Sequence, residues 1–258
     1  MLIDSHAHLE MREFDSDRGE VIARAQKAGV DCIITVGTNL AASRAALALA
    51  REYENVFATI GIHPHDAAGA DDEHFDEFRK LAREPKVVAY GEIGLDFFRD
   101  ISPEKKQIEV FARQLDLARE LGLPVVIHDR EAHAETLQLL KSSGVCRGVF
   151  HCFSGDYEMA AKCLDLGLSI SAPGTVTFEK AKMIHEVVRK VPLEFILLET
   201  DCPYLAPAPF RGKRNEPSFI EHTAQKVAQL KNLSWEEIAA ATSQNTKKLF
   251  ALDKVSSK

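Results

Sequence analysis

Short apolar runs rich in valine and isoleucine alternate along the chain with longer stretches whose apolar residues recur at helical spacing. Some runs, such as residues 56–60, are almost continuously hydrophobic, which is typical of parallel strands covered on both faces. The alternation predicts repeated βα units. Eight strands are predicted, at residues 2–6, 31–36, 56–62, 86–92, 124–128, 147–151, 167–171 and 195–200.

Two helices have clear start signals. Ser102 is predicted to cap one helix with Pro103 in its first turn, and Ser234 with Glu237 forms a capping box before the last helix. No linker rich in proline, glycine or serine divides the chain. We therefore expect residues 1–258 to form a single domain, a (β/α)8 barrel of the TIM type in the α/β class.

Composition and charge narrow the class of protein. No apolar stretch approaches the roughly 18 residues that span a membrane, and the first residues lack the features of a secretory signal. The five cysteines are scattered without a Cys-x-x-Cys pair, which argues against disulfides and favours a cytoplasmic location. The net charge of -7 counts against a nucleic-acid substrate unless bound cations or local basic residues reverse the field.

Candidate metal ligands lie where the predicted strands end. The active site of such a barrel is built at the carboxyl ends of its strands, so side chains there face one mouth. The residues of ligand type at these positions are His6, His8, His63, Glu92, His128, His151 and Asp201. Because His6 and His8 are two residues apart on one strand, both rings are expected to point to the same side and share a cation.

A single histidine at a strand end is more often a hydrogen-bonded polar residue than a ligand. Several histidines and carboxylates in one mouth are different, because grouping titratable side chains is costly unless cations are bound there. The joint pattern predicts a centre for divalent ions, with Mg²⁺, Mn²⁺ and Zn²⁺ all open. Glu92 is the candidate to bridge two cations, an arrangement suited to phosphodiester hydrolysis.

Other polar and aromatic residues have less certain roles. Phe97 and Phe98 follow Glu92 and are either core residues or a face for stacking a nucleobase. Glu199 faces the same way as Asp201 and is either a metal or substrate contact or a buried structural partner. Four histidines in predicted helices or at their starts are expected at the surface: His74, His133, His185 and His222.

Six segments together resemble the TatD family of metal-dependent deoxyribonucleases. They are Asp4-Ser5-His6-Ala7-His8, Gly61-Ile62-His63-Pro64-His65, Gly91-Glu92-Ile93-Gly94-Leu95-Asp96, Val126-Ile127-His128-Asp129-Arg130, His151-Cys152-Phe153-Ser154-Gly155 and Glu199-Thr200-Asp201-Cys202-Pro203-Tyr204-Leu205. The resemblance covers essentially the whole chain. Each motif alone is weak, but their joint order and spacing are specific.

The resemblance implies an amidohydrolase-like barrel with metal-dependent nuclease activity on DNA or RNA, often exonucleolytic from 3′ to 5′. It implies two divalent ions, one held by His6, His8, Glu92 and Asp201 and the other by Glu92, His128 and His151. Asp201 is expected to act also as the base, and His63 to orient the attacking water or the phosphate.

Substrate contacts are expected from six further positions: His65, Ser154, Glu199, Arg211, Lys213 and Arg214. The three basic residues resemble the Phe-Arg-Gly-Lys-x-Asn loop of the family, and the alternative is a solvated loop. No membrane and no protein partner are expected. Two rival functions stay open, a small-molecule amidohydrolase or lactonase and a non-catalytic metal-binding module. Glu92, in place of the modified lysine common in binuclear amidohydrolases, favours the nuclease.

Overall fold

The barrel predicted from the sequence is confirmed by a computed structural model, which describes residues 1–99 and 101–255. Within those residues, eight parallel strands form one sheet, and each is hydrogen-bonded to the next in chain order. The strands are β1 (Leu2–Ala7), β2 (Val30–Val36), β3 (Val56–Ile60), β4 (Val87–Asp96), β5 (Val125–Arg130), β6 (Gly148–Phe150), β7 (Ser169–Ala172) and β8 (Ile196–Leu198).

Helices follow the strands and cover the outside of the sheet. They are α1 (Arg18–Lys27), α2 (Leu40–Glu52), α3 (Asp72–Leu81), α4 (Glu104–Leu121), α5 (His133–Ser143), α6 (Tyr157–Asp165), α7 (Lys182–Lys190), α8 (Ile220–Lys231), α9 (Trp235–Phe250) and α10 (Leu252–Val255). Between β8 and α8, residues 203–217 form a long loop that contains only short 3-10 turns. The result is a (β/α)8 barrel of the TIM type.

Strands β4 and β5 run further than the sequence predicted. The prediction ended them at Glu92 and His128, but their pairing continues to Asp96 opposite Arg130. Gly94 makes this possible, because its φ is +146° and a Cβ added there would lie 1.9 Å from the carbonyl oxygen of His128. Glu92 therefore lies within a strand, and Asp96 and Arg130 stand at the carboxyl ends.

The apolar side chains form two layers, one inside the barrel and one between the sheet and the helices. On β5, Val126 belongs to the inner layer while Val125 and Ile127 belong to the outer one. The inner layer also includes Phe250 and Leu252 from the last two helices. Each fully buried side chain of this size contributes about 1.5–3 kcal/mol. The filled interior leaves the carboxyl ends of the strands as the place for polar side chains.

The barrel closes between β1 and β8 at the end that carries the candidate ligands. The backbone N–H of His8 donates to the carbonyl of Cys202 at 2.8 Å, and that of Asp201 donates to the carbonyl of His6 at 2.9 Å. The hydroxyl of Ser5 also donates to the carbonyl of Leu198 at 2.9 Å. We call these hydrogen bonds between residues 5–8 and 198–202 the seam.

One predicted helix cap is confirmed and the other is wrong. Ser234 and Glu237 make the capping box of α9, with both reciprocal hydrogen bonds present. Helix α4 instead begins at Glu104, with Pro103 in the capping position. The Ser102 hydroxyl donates to the carbonyl of His65 at 2.7 Å, so it fixes the turn after β3 rather than the helix.

The surface prediction for the helical histidines is wrong for one of them. His74, His133 and His222 are partly exposed, but His185 on α7 is buried. Its Nε2 lies 2.7 Å from the carbonyl oxygen of Val176. This hydrogen bond offsets the free-energy cost of burying the polar ring. The five cysteines are all free, and no helix of the described residues is long and apolar enough to cross a membrane.

Candidate metal centre

Four of the predicted ligands converge at the carboxyl end of the barrel. The Nε2 atoms of His6 and His8 lie 3.3 Å apart, as their spacing on β1 predicted. Oδ1 of Asp201 lies 3.7 Å and 3.4 Å from these two nitrogens. Oε2 of Glu92 lies 3.5 Å and 3.9 Å from the same nitrogens. We call these four side chains the first ligand set.

Glu92 also belongs to a second group. Its other oxygen, Oε1, lies 2.8 Å from Nδ1 of His128 and 2.9 Å from Nε2 of His151. The two ring nitrogens are 3.4 Å apart. We call these three side chains the second ligand set. The two oxygens of one carboxylate therefore face two different groups of histidines.

The residues present fit divalent cations. Imidazole nitrogens and carboxylate oxygens are ligands for Zn²⁺ and Mn²⁺, and carboxylates also suit Mg²⁺. Ring nitrogens and carboxylate oxygens of His6, His8 and Glu92 lie within 4.8 Å of one another, as do those of His63, Glu92 and His128. Glu92 is only 3 % exposed and His6 is fully buried. So many buried ionisable groups in one place are stabilised when a cation binds them.

Electrostatics keep both carboxylates of the centre ionised at neutral pH. Burial alone would raise the pKa of Glu92, but the facing histidines, His151 and His63 foremost, hold that pKa well below its usual value. For Asp201, burial is again opposed, chiefly by a hydrogen bond with His8, and the net pKa is lowered. Negative charge is therefore available for binding cations.

His63 lies beside both ligand sets. Its Nε2 is 3.5 Å from Oε1 of Glu92, and its ring packs against that of His128 at 4.5 Å between centroids. Burial lowers the pKa of His63 to about 4, so the ring is neutral at pH 7. Its Nδ1 accepts the backbone N–H of His65, which leaves the ring proton on Nε2.

Asp96 is a site residue that the sequence analysis quoted in a motif but assigned no role. Its side chain is buried, with Oδ2 2.8 Å from Nε2 of His65 and 3.2 Å from Nε2 of His128. Its Oδ1 accepts the backbone N–H groups of Phe98 and Arg99. The sequence did contain a signal for this role, because Asp96 is a carboxylate at the end of the motif that carries Glu92.

Glu10 is a second residue that sequence reasoning missed. Its Oε1 lies 3.4 Å from Nδ1 of His8, and its Oε2 accepts the hydroxyl of Thr35 at 2.8 Å. A carboxylate behind a ligating histidine fixes the ring orientation and raises its basicity. Nothing in the sequence distinguishes Glu10 from an exposed glutamate, because Thr35 comes from another strand.

Glu199 is a buried partner and does not reach the solvent-facing side of the site. It is fully buried, and its Oε1 accepts the backbone N–H of Cys152 at 2.6 Å. Its other oxygen accepts the hydroxyl of Ser171, and Oε1 lies 3.6 Å from Nδ1 of His151. These surroundings favour the structural alternative raised for this residue, although its oxygens also lie near the ring nitrogens of His6 and His151. A direct contact with substrate stays a prediction.

The three basic residues of the loop after β8 are all exposed, but one of them forms an ion pair. The Arg214 guanidinium donates to both carboxylate oxygens of Asp17, at 2.8 Å and 2.7 Å, so it is already paired. Arg211 and Lys213 are exposed, and the Arg211 guanidinium lies 4.7 Å from the ring of Phe178. Only the latter two basic side chains are accessible to an anion without breaking an ion pair.

The remaining expected contacts are at the rim of the centre. The His65 side chain is partly exposed beside Asp96, and Ser154 is exposed after the turn that carries His151. Of the two aromatic residues after Glu92, Phe97 packs against the core and Phe98 is 51 % exposed. The core interpretation therefore fits Phe97, and a face for stacking a nucleobase at Phe98 stays a prediction.

Histidines and carboxylates able to hold metal ions, placed at the carboxyl ends of barrel strands, define a metal-dependent hydrolase. A sequence profile described as TatD related DNase matches residues 3–251. The chain belongs to the TatD family, as its motifs predicted.

Relatives cover the chain from end to end. The uncharacterized metal-dependent hydrolase YabD of Bacillus subtilis is 43 % identical over 255 residues, which are 98 % of this chain and 100 % of YabD. The 3′-5′ ssDNA/RNA exonuclease TatD of Klebsiella pneumoniae is 39 % identical over 259 residues, 98 % of each chain. The crystal structure of YJJV, a TatD homolog from Escherichia coli K12, superposes with a TM-score of 0.92 at 35 % identity, covering 97 % of this chain and 98 % of that one.

Proposed function

We propose that this chain is a two-metal phosphodiesterase that shortens single-stranded DNA from its 3′ end. The observation that carries the proposal is the position of Glu92, whose two oxygens face two separate ligand sets. A bridging carboxylate holds two cations close together, which suits the attacking and leaving oxygens of a phosphodiester. An amidohydrolase or lactonase would use related metals, so the substrate is the point to be tested.

Both ligand sets would hold cations, one in each. When bound, Mg²⁺, Mn²⁺ or Zn²⁺ would neutralise the phosphate oxygens and make water more acidic. Although the net charge of -7 would repel nucleic acid, the cations would attract phosphate locally at the mouth of the barrel. The protein supplies ionised Glu92 and Asp201 in a buried place, where electrostatic interactions are stronger than in water.

Asp201 is the proton acceptor in this proposal. Its lowered pKa keeps it ionised at neutral pH, and it lies at the end of β8 with 9 % of its surface exposed. An attacking water beside it gives its proton to the carboxylate as the new bond to phosphorus forms. The bond from phosphorus to the 3′ oxygen of the preceding nucleotide then breaks, this oxygen takes up a proton from solvent, and a nucleoside 5′-monophosphate leaves.

His63 orients the phosphate by donating a hydrogen bond. Its neutral ring carries the proton on Nε2, because Nδ1 accepts the backbone N–H of His65. A donor in that position stabilises the charge on a phosphate oxygen as it develops. This tautomer favours the orienting role and argues against His63 as the base.

Nucleic acid as the substrate is supported by the relative from Klebsiella pneumoniae, which is a 3′-5′ ssDNA/RNA exonuclease. The exposed Arg211 and Lys213 offer positive charge in the loop after Asp201. His65 and Ser154 at the rim are candidates to hydrogen-bond the strand. RNA is therefore included with DNA in the test below.

The test incubates metal-stripped protein with 5′-labelled single-stranded DNA or RNA, with and without Mg²⁺ or Mn²⁺. We expect a metal-dependent ladder that shortens from the 3′ end. Asp201→Asn should lower kcat/KM by about 10²–10⁴-fold, because the variant loses a proton acceptor. Asp76→Asn, on the exposed face of α3, is the matched control and should behave as the wild type.

Two outcomes would contradict the proposed function. If the metal-loaded wild type cleaves neither polymer but turns over a lactone or a cyclic amide, the phosphodiesterase assignment is wrong. Binding of metal without turnover of any of these substrates would favour the non-catalytic module.

A further inference from the structure

Arg130 stands beside the second ligand set on the inner face of the barrel. On β5, Val126 belongs to the interior layer and His128 to the second ligand set, so Arg130 is the next residue on that face. The intervening Asp129 points outward, where its carboxylate lies 2.7 Å from Nδ1 of His133 on α5. Arg130 therefore presents its guanidinium to the mouth and not to the outer helices.

The guanidinium is held in place by an aromatic ring. Its Cζ lies 3.9 Å from the ring centroid of Phe98, a cation–π contact. The backbone N–H of Phe98 donates to Asp96, which contacts His65 and His128. The ring that supports Arg130 is thus tied to the same carboxylate that orients side chains of the metal centre.

The charge of Arg130 is unpaired within the described part of the chain. Among residues 1–99 and 101–255, no carboxylate oxygen lies within 4.0 Å of its guanidinium nitrogens. Arg214, one of the three basic residues expected as substrate contacts, is instead paired with Asp17. Arg130 is also half-buried, so less side-chain entropy is lost on binding than for the exposed Arg211.

We propose that Arg130, positioned by Phe98, binds a backbone phosphate of the substrate strand next to the scissile bond. This proposal rests on the proposed nuclease function. It adds Arg130 to the substrate contacts that were expected from the sequence. A guanidinium fork matches the oxygens of a phosphate and binds it with charge-assisted hydrogen bonds. Phe98 acts as a positioning residue, since its ring contacts the guanidinium of Arg130.

The first experiment separates binding from chemistry. With Mn²⁺ and a single-stranded oligonucleotide, Arg130→Gln should raise KM about tenfold or more and change kcat much less. The matched control is Arg113→Gln on α4. There an arginine lies 4.0 Å from the ring of Phe75, but it is paired with Asp72 on the outer layer. Its KM should stay within twofold of the wild type.

A second measurement identifies the phosphate. One backbone phosphate next to the scissile bond is replaced by an uncharged methylphosphonate, and both protein forms are assayed on both substrates. The methylphosphonate and the substitution Arg130→Gln should each lower kcat/KM by about the same factor. The variant acting on the methylphosphonate substrate should have a kcat/KM only slightly lower than either change alone gives. Additive losses would place the Arg130 contact elsewhere and overturn the proposal.

A third measurement does not depend on activity. Metal-free protein is titrated with a fluorescent single-stranded oligonucleotide at several salt concentrations. Arg130→Gln should reduce the slope of log K against log salt by about 0.7, the value for one phosphate contact on a single strand. Arg130→Lys should keep most of the slope yet raise KM, because it has the charge without the fork. Phe98→Leu should raise KM about two- to fivefold.

The outcomes are distinguishable from those of the proposed function. A wild type that cleaves no oligonucleotide overturns both. A wild type that cleaves, with KM and salt slope of Arg130→Gln equal to those of Arg113→Gln, overturns the Arg130 assignment alone. Circular dichroism of each variant identifies any loss of folding, and Arg130→Lys then replaces Arg130→Gln in the comparison.

Discussion

The side chains behind the ligands account for much of the geometry of this centre. Glu10 lies behind His8, Asp96 contacts His128, and Glu199 lies behind His151. Each is a carboxylate near a ring nitrogen, which fixes the orientation of the ring before any cation is bound. At the residue scale, the candidate metal centre therefore consists of its ligands together with a layer of carboxylates, of which the sequence pointed only to Glu199.

Replacing Glu199 by glutamine tests this layer. The amide keeps the size of the side chain and an acceptor for the N–H of Cys152, but removes the charge near His151. We expect Glu199→Gln to weaken binding of Mn²⁺ or Zn²⁺ about 10- to 100-fold, as measured by isothermal titration calorimetry. Glu109→Gln, exposed on α4, is the control, and an affinity equal to that of the control would contradict the positioning role.

At the scale of elements, local sequence signals predicted the order and type of the helices and strands better than the residues at which they begin and end. The capping box of α9 is a purely local pattern, so Ser234 and Glu237 were found from the sequence. Ser102 shows the same kind of signal, but its hydroxyl is used by the turn at His65, which is distant in sequence. The extension of β4 to Asp96 likewise depends on pairing with β5, and periodicity along one segment does not contain that information.

The capping box offers a direct measure of one element. Ser234→Ala removes the side-chain acceptor for the N–H of Glu237, so the first turn of α9 loses a hydrogen bond. We expect the free energy of unfolding in urea to fall by about 1 kcal/mol. Ser142→Ala, whose hydroxyl donates within α5, should change it by less than about 0.5 kcal/mol. Equal effects of the two substitutions would mean that the box contributes nothing.

At the scale of the whole molecule, the candidate ligands connect distant parts of the chain. They come from β1, β4 and β5 and from the residues after β6 and β8. The sequence predicted this convergence because barrel strands end at one mouth, a property of the fold class. It did not predict which strands extend beyond their ligands, or that Arg130 has no ion pair among the described residues while Arg214 has one, since both depend on contacts between distant segments.

Removing metal should therefore loosen the whole barrel and not one loop. A cation at about 100 times its Kd adds about 2.7 kcal/mol to stability, which raises the Tm of a protein of this size by roughly 5–10 °C. Calorimetry of the protein with chelator and with Mn²⁺ measures the difference. Asp201→Asn should show a smaller rise than the wild type, and identical Tm values with and without metal would contradict a site that joins the strands.

The seam between residues 5–8 and 198–202 has a consequence for the making of the protein. His6 and His8 are synthesised well before Asp201, which follows the eighth strand. The hydrogen bonds that close the barrel join these same residues. A chain cut between β7 and β8 would lack Asp201 together with the seam partners of residues 5–8. Assembly of the candidate metal centre and closure of the barrel therefore depend on the same residues.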